Sequence, residues 1–499
     1  MNIAKNVERA SLYFPQKAAL IFEGRTISYE ELNGRVNRLA KALRAMGVEK
    51  GDRIALFLPN IPAFPIVYLA VQKLGAIAVS INAMSKKREI KYIAGDSGCK
   101  IVFTTSELRG EVPREALPAL EKIVVAEGEA GEDPDLETLT APEDGDFACR
   151  EMAPNDPAAI LYTSGTTGFP KGATLTHGNV VSNSISAGNH SGVCPDDRMQ
   201  LFLPLFHCFG QNYIMNSAFA KCATLVLHRR FEPEPVLGAI ASHKVTMLFA
   251  VPTIFIHFLN MDTSRYDLSS LRYCFTAAAT MPLETALQWK DKFGMPIHEG
   301  YGLTECSPFA LYNHDFKLKY GSLGTPIENV DVRVVDYEGK EVPPGEQGAI
   351  VVRGPNVMRG YWGKPAETAK AIRDGWLHTG DIGKMDEEGY FFITDRLKDM
   401  IIAAGFNVYP NEVEQVLYQH PAVKEAAVYG VPDAVRGETV HAAIVLKKGM
   451  RADEEGIIDF CRANMAAYKT PRRILFMDEL PKSPTGKILK RILRGDESS

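Results

Sequence analysis

The chain has 499 residues, 45% apolar and 23% charged, and a formal net charge of −5. That length exceeds one ordinary core and asks for at least two domains, and the composition leaves little room for extended disorder. The mildly acidic balance disfavours a nucleic-acid-binding protein, which is more often basic.

The first segment, "MNIAKNVERASLYF", lacks the unbroken apolar core of a secretory signal. Ser28-Tyr29-Glu30-Glu31 reads as a capping box, and Leu32, Val36, Leu39 and Leu43 follow at helical spacing up to Gly47. "RIALFL" at 53–58 reads as a strand broken by Pro59, and a helix then leads through Gly75 to the strand-like "AIAVSI". Strand, helix, strand in this order predicts α/β layering with parallel strands. The most apolar run, "FPIVYLAVQKLGAIAVSI", is interrupted by Gln72, Lys73 and Gly75. It fits a buried helix running into a strand, and no transmembrane segment is expected. The stretch 126–156, rich in acid, Gly and Pro, reads as a solvated connection.

From about residue 396 the pieces shorten: a helix near 412–420, strands near 423–431 and 440–447, and a helix near 454–466. The expected division is a large N-terminal α/β domain over 1–395, with mostly parallel sheets, and a small mobile α+β domain over 396–499. The eight cysteines contain no C-x-x-C pair. They read as reduced thiols, not a disulfide framework or zinc site, and no tail address follows in "GDESS". A cytoplasmic enzyme is the expectation.

The densest chemistry lies at 162–172, "YTSGTTGFPKG", directly after the apolar run Ala158-Ala159-Ile160-Leu161. Glycines at 165, 168 and 172 permit close approach to an anion, and Thr163, Ser164, Thr166 and Thr167 bring hydroxyl donors. Lys171 adds a positive charge. The order fits neither a Walker loop nor the dinucleotide fingerprint. A phosphate cradle of another kind is the reading.

This stretch resembles the signature of the adenylate-forming superfamily, which includes acyl-CoA synthetases and luciferases. Five further stretches follow in the family's order: "LPLFHCFG" (203–210), "EGYGLTECSP" (299–308), "WLHTGDIG" (376–383), "DRLKDMIIAAGFNVYPNEVE" (395–414) and "PKSPTGKILKR" (481–491). They span almost the whole chain. The resemblance implies that a carboxylate attacks the α-phosphate of ATP, giving acyl-AMP and pyrophosphate, and that the acyl group then passes to CoA.

Two anions must meet in the first step, so magnesium and positive charge are expected beside the phosphates. Glu305 resembles the family's magnesium ligand and Thr304 its α-phosphate contact. The ATP site implied by the resemblance comprises Thr163, Ser164, Gly165, Thr166, Thr167, Gly168, Lys171, Ala277, Ala278, Ala279, Glu299, Gly300, Tyr301, Gly302, Thr304, Asp381 and Arg396. Tyr301 resembles the ring that stacks on adenine, and Asp381 and Arg396 the residues around the ribose. Lys487 resembles the lysine that reaches carboxylate and α-phosphate from the mobile domain. Lys398 resembles the hinge and Gly405 the wall of the pantetheine tunnel.

His207 resembles the gate beside the adenylate carboxyl. With Phe209, Gly210, Met215, Val251, Phe255, Ala277 and Cys306 it forms the expected acyl-binding wall, which carries neither a cation for a second carboxylate nor an Asp for an amine. A medium- to long-chain fatty acid is therefore the expected substrate. The resemblance also covers aryl or coumarate-type acid–CoA ligases, ATP-dependent amide synthetases and luciferase-like monooxygenases. The expected partners are the small acid, ATP and CoA. A monomer or homodimer is expected, with room for peripheral membrane contact.

Overall fold

The computed structural model describes every residue except 142–145, 164–169, 397–398, 404–405, 434–436, 485 and 496–499. The helix Tyr29–Ala45 begins where the sequence places it. Ser28 accepts a hydrogen bond from the Glu31 amide at 3.1 Å, and Leu32, Val36, Leu39 and Leu43 are buried. Only half of the expected box forms, because the Glu31 carboxylate turns instead to Arg25, at 2.7 Å.

The helix Ala63–Leu74 is buried along its whole length and ends on Gly75, whose φ of 73° is the left-handed geometry glycine supplies. It crosses between the parallel strands Arg53–Leu56 and Ile77–Ser80, the expected α/β unit. These two strands belong to a seven-stranded sheet in which Pro157–Thr163, Ile101–Thr104 and Lys122–Val125 also run parallel. The strands Lys171–Thr176 and Gly360–Tyr361 close one edge of that sheet antiparallel. A nine-stranded sheet carries six parallel strands, among them Met247–Ala250, Tyr273–Thr276 and Ile297–Gly302, with antiparallel strands at both edges. One apolar core is shared by both sheets and the helices packed on them.

A third sheet, over Asp331–Val335, Gln347–Arg353, Ile372–Arg373, Trp376–Met385 and Phe391–Arg396, is antiparallel throughout. The sequence reading did not separate it from the parallel layers. The fourth sheet starts at Ile401 and has its own core around Val413, Val428, Ala442, Ile444 and Ile457. There the helix Pro410–Tyr418 packs on Val423–Asp433, which pairs with Gly437–Leu446, and the helix Glu454–Asn464 packs on Pro410–Tyr418 and the strand Arg473–Phe476. The molecule is thus a large N-terminal α/β portion with mainly parallel sheets, followed by a smaller, mainly antiparallel α+β portion. No described helix is long and apolar enough to cross a membrane.

Candidate active site

The strands that flank the expected phosphate loop pair antiparallel. Thr163 and Lys171 lie opposite each other in the antiparallel pair, as do Tyr162 and Gly172, so the loop springs from a fixed base at a strand end. A side chain at 172 would press on Ile160 at 2.7 Å, and glycine is required by packing as well as by the loop. Ser164, Gly165, Thr166, Thr167 and Gly168 lie outside the described residues. Lys171 is anchored: its ammonium pairs with Glu367 and sits 5.3 Å from the centre of the Tyr361 ring.

The strand Ile297–Gly302 carries the next group. A Cβ at 300 would come within 2.5 Å of the Phe275 ring, and one at 302 would overlap the Pro308 carbonyl. Tyr301 is therefore held between two positions that admit only glycine. Its hydroxyl donates to Asp381 Oδ2 at 2.6 Å. Asp381 is buried and faces Arg396 across the pair Trp376–Met385 and Phe391–Arg396, with Arg396 Nε 3.0 Å from Asp381 Oδ1. That oxygen has charge compensation but no aligned donor, which leaves a buried acceptor of the kind a ribose hydroxyl satisfies.

Glu299 is buried in the same strand, and burial pushes its carboxyl up to about 8. Its one described hydrogen bond comes from the Met281 amide at 3.4 Å. Ala277, Ala278 and Ala279 follow the strand Tyr273–Thr276, with Ala278 and Ala279 exposed and Ala278 at a φ of 72°. This strained, open backbone follows directly on the strand that pairs with Ile297–Gly302.

Thr304, Glu305 and Cys306 form one tight turn after Gly302. Thr304 Oγ1 lies 3.4 Å from Cys208 Sγ, and Glu305 Oε1 accepts from the Tyr361 hydroxyl at 2.9 Å. The donor set suits magnesium, which is bound through one or two carboxylates plus phosphate oxygens instead of a full protein cage. Among the described residues no cluster of three or more His, Cys, Asp or Glu could hold an ion.

His207 stands one residue before Cys208 and two before the π-helix Phe209–Met215. Burial, with the Lys487 ammonium opposing a second charge, lowers its ring to about 4. The imidazole is thus neutral near pH 7, and its Nδ1 accepts from the Phe209 amide at 3.3 Å. Lys487 reaches this place from the C-terminal portion on a turn in which Ser483 Oγ accepts the Lys487 amide at 3.1 Å. The Thr253 hydroxyl donates to the Gly486 carbonyl at 3.4 Å, and a Cβ at 486 would lie 2.8 Å from Val251. The small domain is seated with its lysine turned toward His207.

The residues expected on the acyl side are tightly packed. Phe209 stacks on Tyr213 at 5.6 Å and meets Phe275 edge-on at 5.9 Å, while Met215 is fully buried. Phe255 lies edge-on to Trp289 at 4.8 Å. Gly210 is there for the backbone, since a Cβ would collide with the Pro204 carbonyl. Lys398 and Gly405 lie outside the described residues. Sequence reasoning missed Tyr361 and Glu367, although both lie in the run "GYWGKPAET" at 360–368 and meet Lys171.

The model of the AMP-binding enzyme family matches residues 7–362, and that of the AMP-binding enzyme C-terminal domain matches 412–487. A feruloyl-CoA synthase from Amycolatopsis sp is 39% identical over 96% of this chain and 96% of its own. A long-chain-fatty-acid–CoA ligase from Bacillus subtilis is 36% identical over 97% of this chain and 92% of its own. Among solved structures, an anthranilate CoA ligase in complex with anthranoyl-AMP superposes with a TM-score of 0.94 at 32% identity, covering 99% of this chain and 97% of that one.

Proposed function

Because the chain belongs to the AMP-binding enzyme family, in its acyl-CoA synthetase branch, we propose the following division of labour for an AMP-forming acid–thiol ligase. Tyr301 and the Ala277–Ala279 backbone hold adenine, and Asp381 and Arg396 hold the ribose. The phosphate loop with Lys171 grips the phosphates, and Thr304 contacts the α-phosphate. Magnesium held by Glu305 would offset phosphate charge so that a carboxylate can approach. Lys487 bridges carboxylate and α-phosphate, stabilising charge that develops as the anhydride forms. Neutral His207 borders the carboxylate without adding a charge. The mixed anhydride is already activated, so CoA needs no protein nucleophile. For that step the small domain turns about Lys398 and Gly405 lines the pantetheine path.

One observation carries this reading: Lys487, from the far end of the chain, is seated close enough to His207 to oppose its protonation, with Gly486 against Val251. Pyrophosphate release should require ATP, magnesium and an organic acid together, and CoA should convert the product to a thioester. ADP as the product would overturn the reading. Eight cysteines, none in a disulfide, fit a reducing cytoplasm.

For the acid, the reading is a medium- to long-chain fatty acid. Uncharged walls at Phe209, Val251 and Cys306 support it, as does the likeness to the Bacillus long-chain ligase. Each buried methylene contributes about 0.8 kcal/mol, so kcat/KM should climb roughly fourfold per carbon until the pocket ends. The stacked rings of Phe209 and Tyr213, with Phe275 edge-on, favour a second reading, an aryl acid, as do the feruloyl and anthranilate relatives. A cinnamate or benzoate that outperforms every straight-chain acid would decide for it.

A further inference from the structure

The two charged groups expected to meet the nucleotide's phosphates and metal, Lys171 and Glu305, are joined by a third element. The strand Gly360–Tyr361 lies along Lys171–Thr176 with Tyr361 opposite Ala173, and the Trp362 amide donates to the Gly172 carbonyl at 2.7 Å. Tyr361 thus projects between the two groups: its ring lies under the Lys171 ammonium and its hydroxyl holds Glu305 Oε1. The helix Pro365–Ala371 then turns back and brings Glu367 onto Lys171.

This segment is itself clamped. The Thr368 hydroxyl accepts from the Tyr361 amide at 2.9 Å, and a Cβ at 360 would press on Thr368 at 2.6 Å. Lys364 pairs with Asp96 at 3.1 Å, and Asp96 also accepts the Tyr162 hydroxyl at 2.7 Å. Tyr162 ends one residue before the base of the phosphate hairpin, so the segment grips that hairpin from both strands. Lys370 gives Glu367 a second partner at 2.8 Å, which stays behind when Lys171 leaves.

Resting on the ATP-site reading above, we propose that Tyr361 and Glu367 are positioning residues for the metal–nucleotide complex. Glu367 holds the Lys171 ammonium as a stand-in anion and yields it to the triphosphate, and Tyr361 aims the Glu305 carboxylate at the metal. Neither touches the reacting atoms. The lysine is kept in place without a phosphate, and its transfer exchanges one anion for another instead of desolvating a free cation.

Binding of ATP, measured by calorimetry without any acid and with either magnesium or a chelator, tests this. Glu367→Gln removes the competing charge and should tighten metal-free ATP several-fold. Tyr361→Phe keeps the ring and loses the hydroxyl, so it should weaken binding with magnesium several-fold and leave metal-free binding unchanged. Ala369→Gln, at an exposed position of the same helix, serves as a control and should change neither. Equal losses in both conditions for both variants, or weaker metal-free binding by Glu367→Gln, would overturn the proposal while leaving the ATP site standing. No ATP binding by the unmodified chain would overturn both.

Discussion

The proposed nucleotide side and the proposed acyl side of the site are built on different principles. On the proposed nucleotide side the described charges are met by directed polar partners: Asp381 by Arg396 and the Tyr301 hydroxyl, Lys171 by Glu367, and Glu305 by the Tyr361 hydroxyl. On the proposed acyl side, Phe209, Tyr213, Phe275 and Val251 are held by packing, and the His207 ring is kept neutral. A charged ligand is recognised by directed polar groups that leave a mark on the sequence, whereas an apolar one is recognised by volume. The first kind of site can be read residue by residue. The second is written in the packing.

The comparison is tested most severely at Lys487, where the two sides meet. Lys487→Ala should lose about 2–4 kcal/mol of transition-state stabilisation in acyl-AMP formation, the range for one positioned charge. Thioester formation from supplied acyl-AMP should be largely spared. Pyrophosphate release and thioester yield, measured separately, check this; equal losses in both would mean that the lysine serves the fold and not the seam.

A smaller effect should separate the two sides by pH. Glu299 has its folded pKa raised to about 8 from an ordinary 4.5. The folded state therefore holds a proton that the unfolded chain has released between those values. Its contribution to stability is fully present below the ordinary value and is lost as pH rises through about 8, at no more than about 1.4 kcal/mol per unit. Glu299→Gln should flatten the fall in the urea midpoint between pH 5 and 8. A slope unchanged by the substitution would show that Glu299 is ionised in the fold.

The smallest effect belongs to the acyl side. His207, lowered to about 4, should show no ring titration by NMR between pH 5 and 8. Lys487→Met should raise that value only part of the way to 6.5, because burial is the larger cause. A midpoint near 6.5 in the unmodified chain would make His207 a solvated group and remove the contrast.

Local rules carried far in this molecule. The Ser28 cap, the Gly75 stop and the parallel pair it serves follow from side chains acting on their own backbone within a few residues. The motifs likewise carried Asp381 and Arg396, which are 15 residues apart and meet by register. The antiparallel third sheet was not legible, because half-buried alternation such as that of Asp331–Val335 differs little from a single parallel strand until its partners are known. Nor was the Tyr361 bridge, since its meaning depends on Lys171 and Glu305, 190 and 56 residues away. The packing of Phe255 on Trp289 has the same cause: no local pattern says which face of a wholly apolar helix looks at a ligand.

Gly486 carries a consequence beyond geometry. Its φ of 80° and its 2.8 Å Cβ clearance from Val251 mean that the docked turn tolerates no added methyl group. The seated orientation is therefore poised on a wedge position between Val251 and the backbone that carries Lys487. A substituent there would lift the free energy of the seated arrangement of the small domain relative to the turned one proposed for thioester formation. About 1.4 kcal/mol of such bias moves the ratio of the two arrangements tenfold, so the relative speed of the two half-reactions can be set by one atom that takes part in neither.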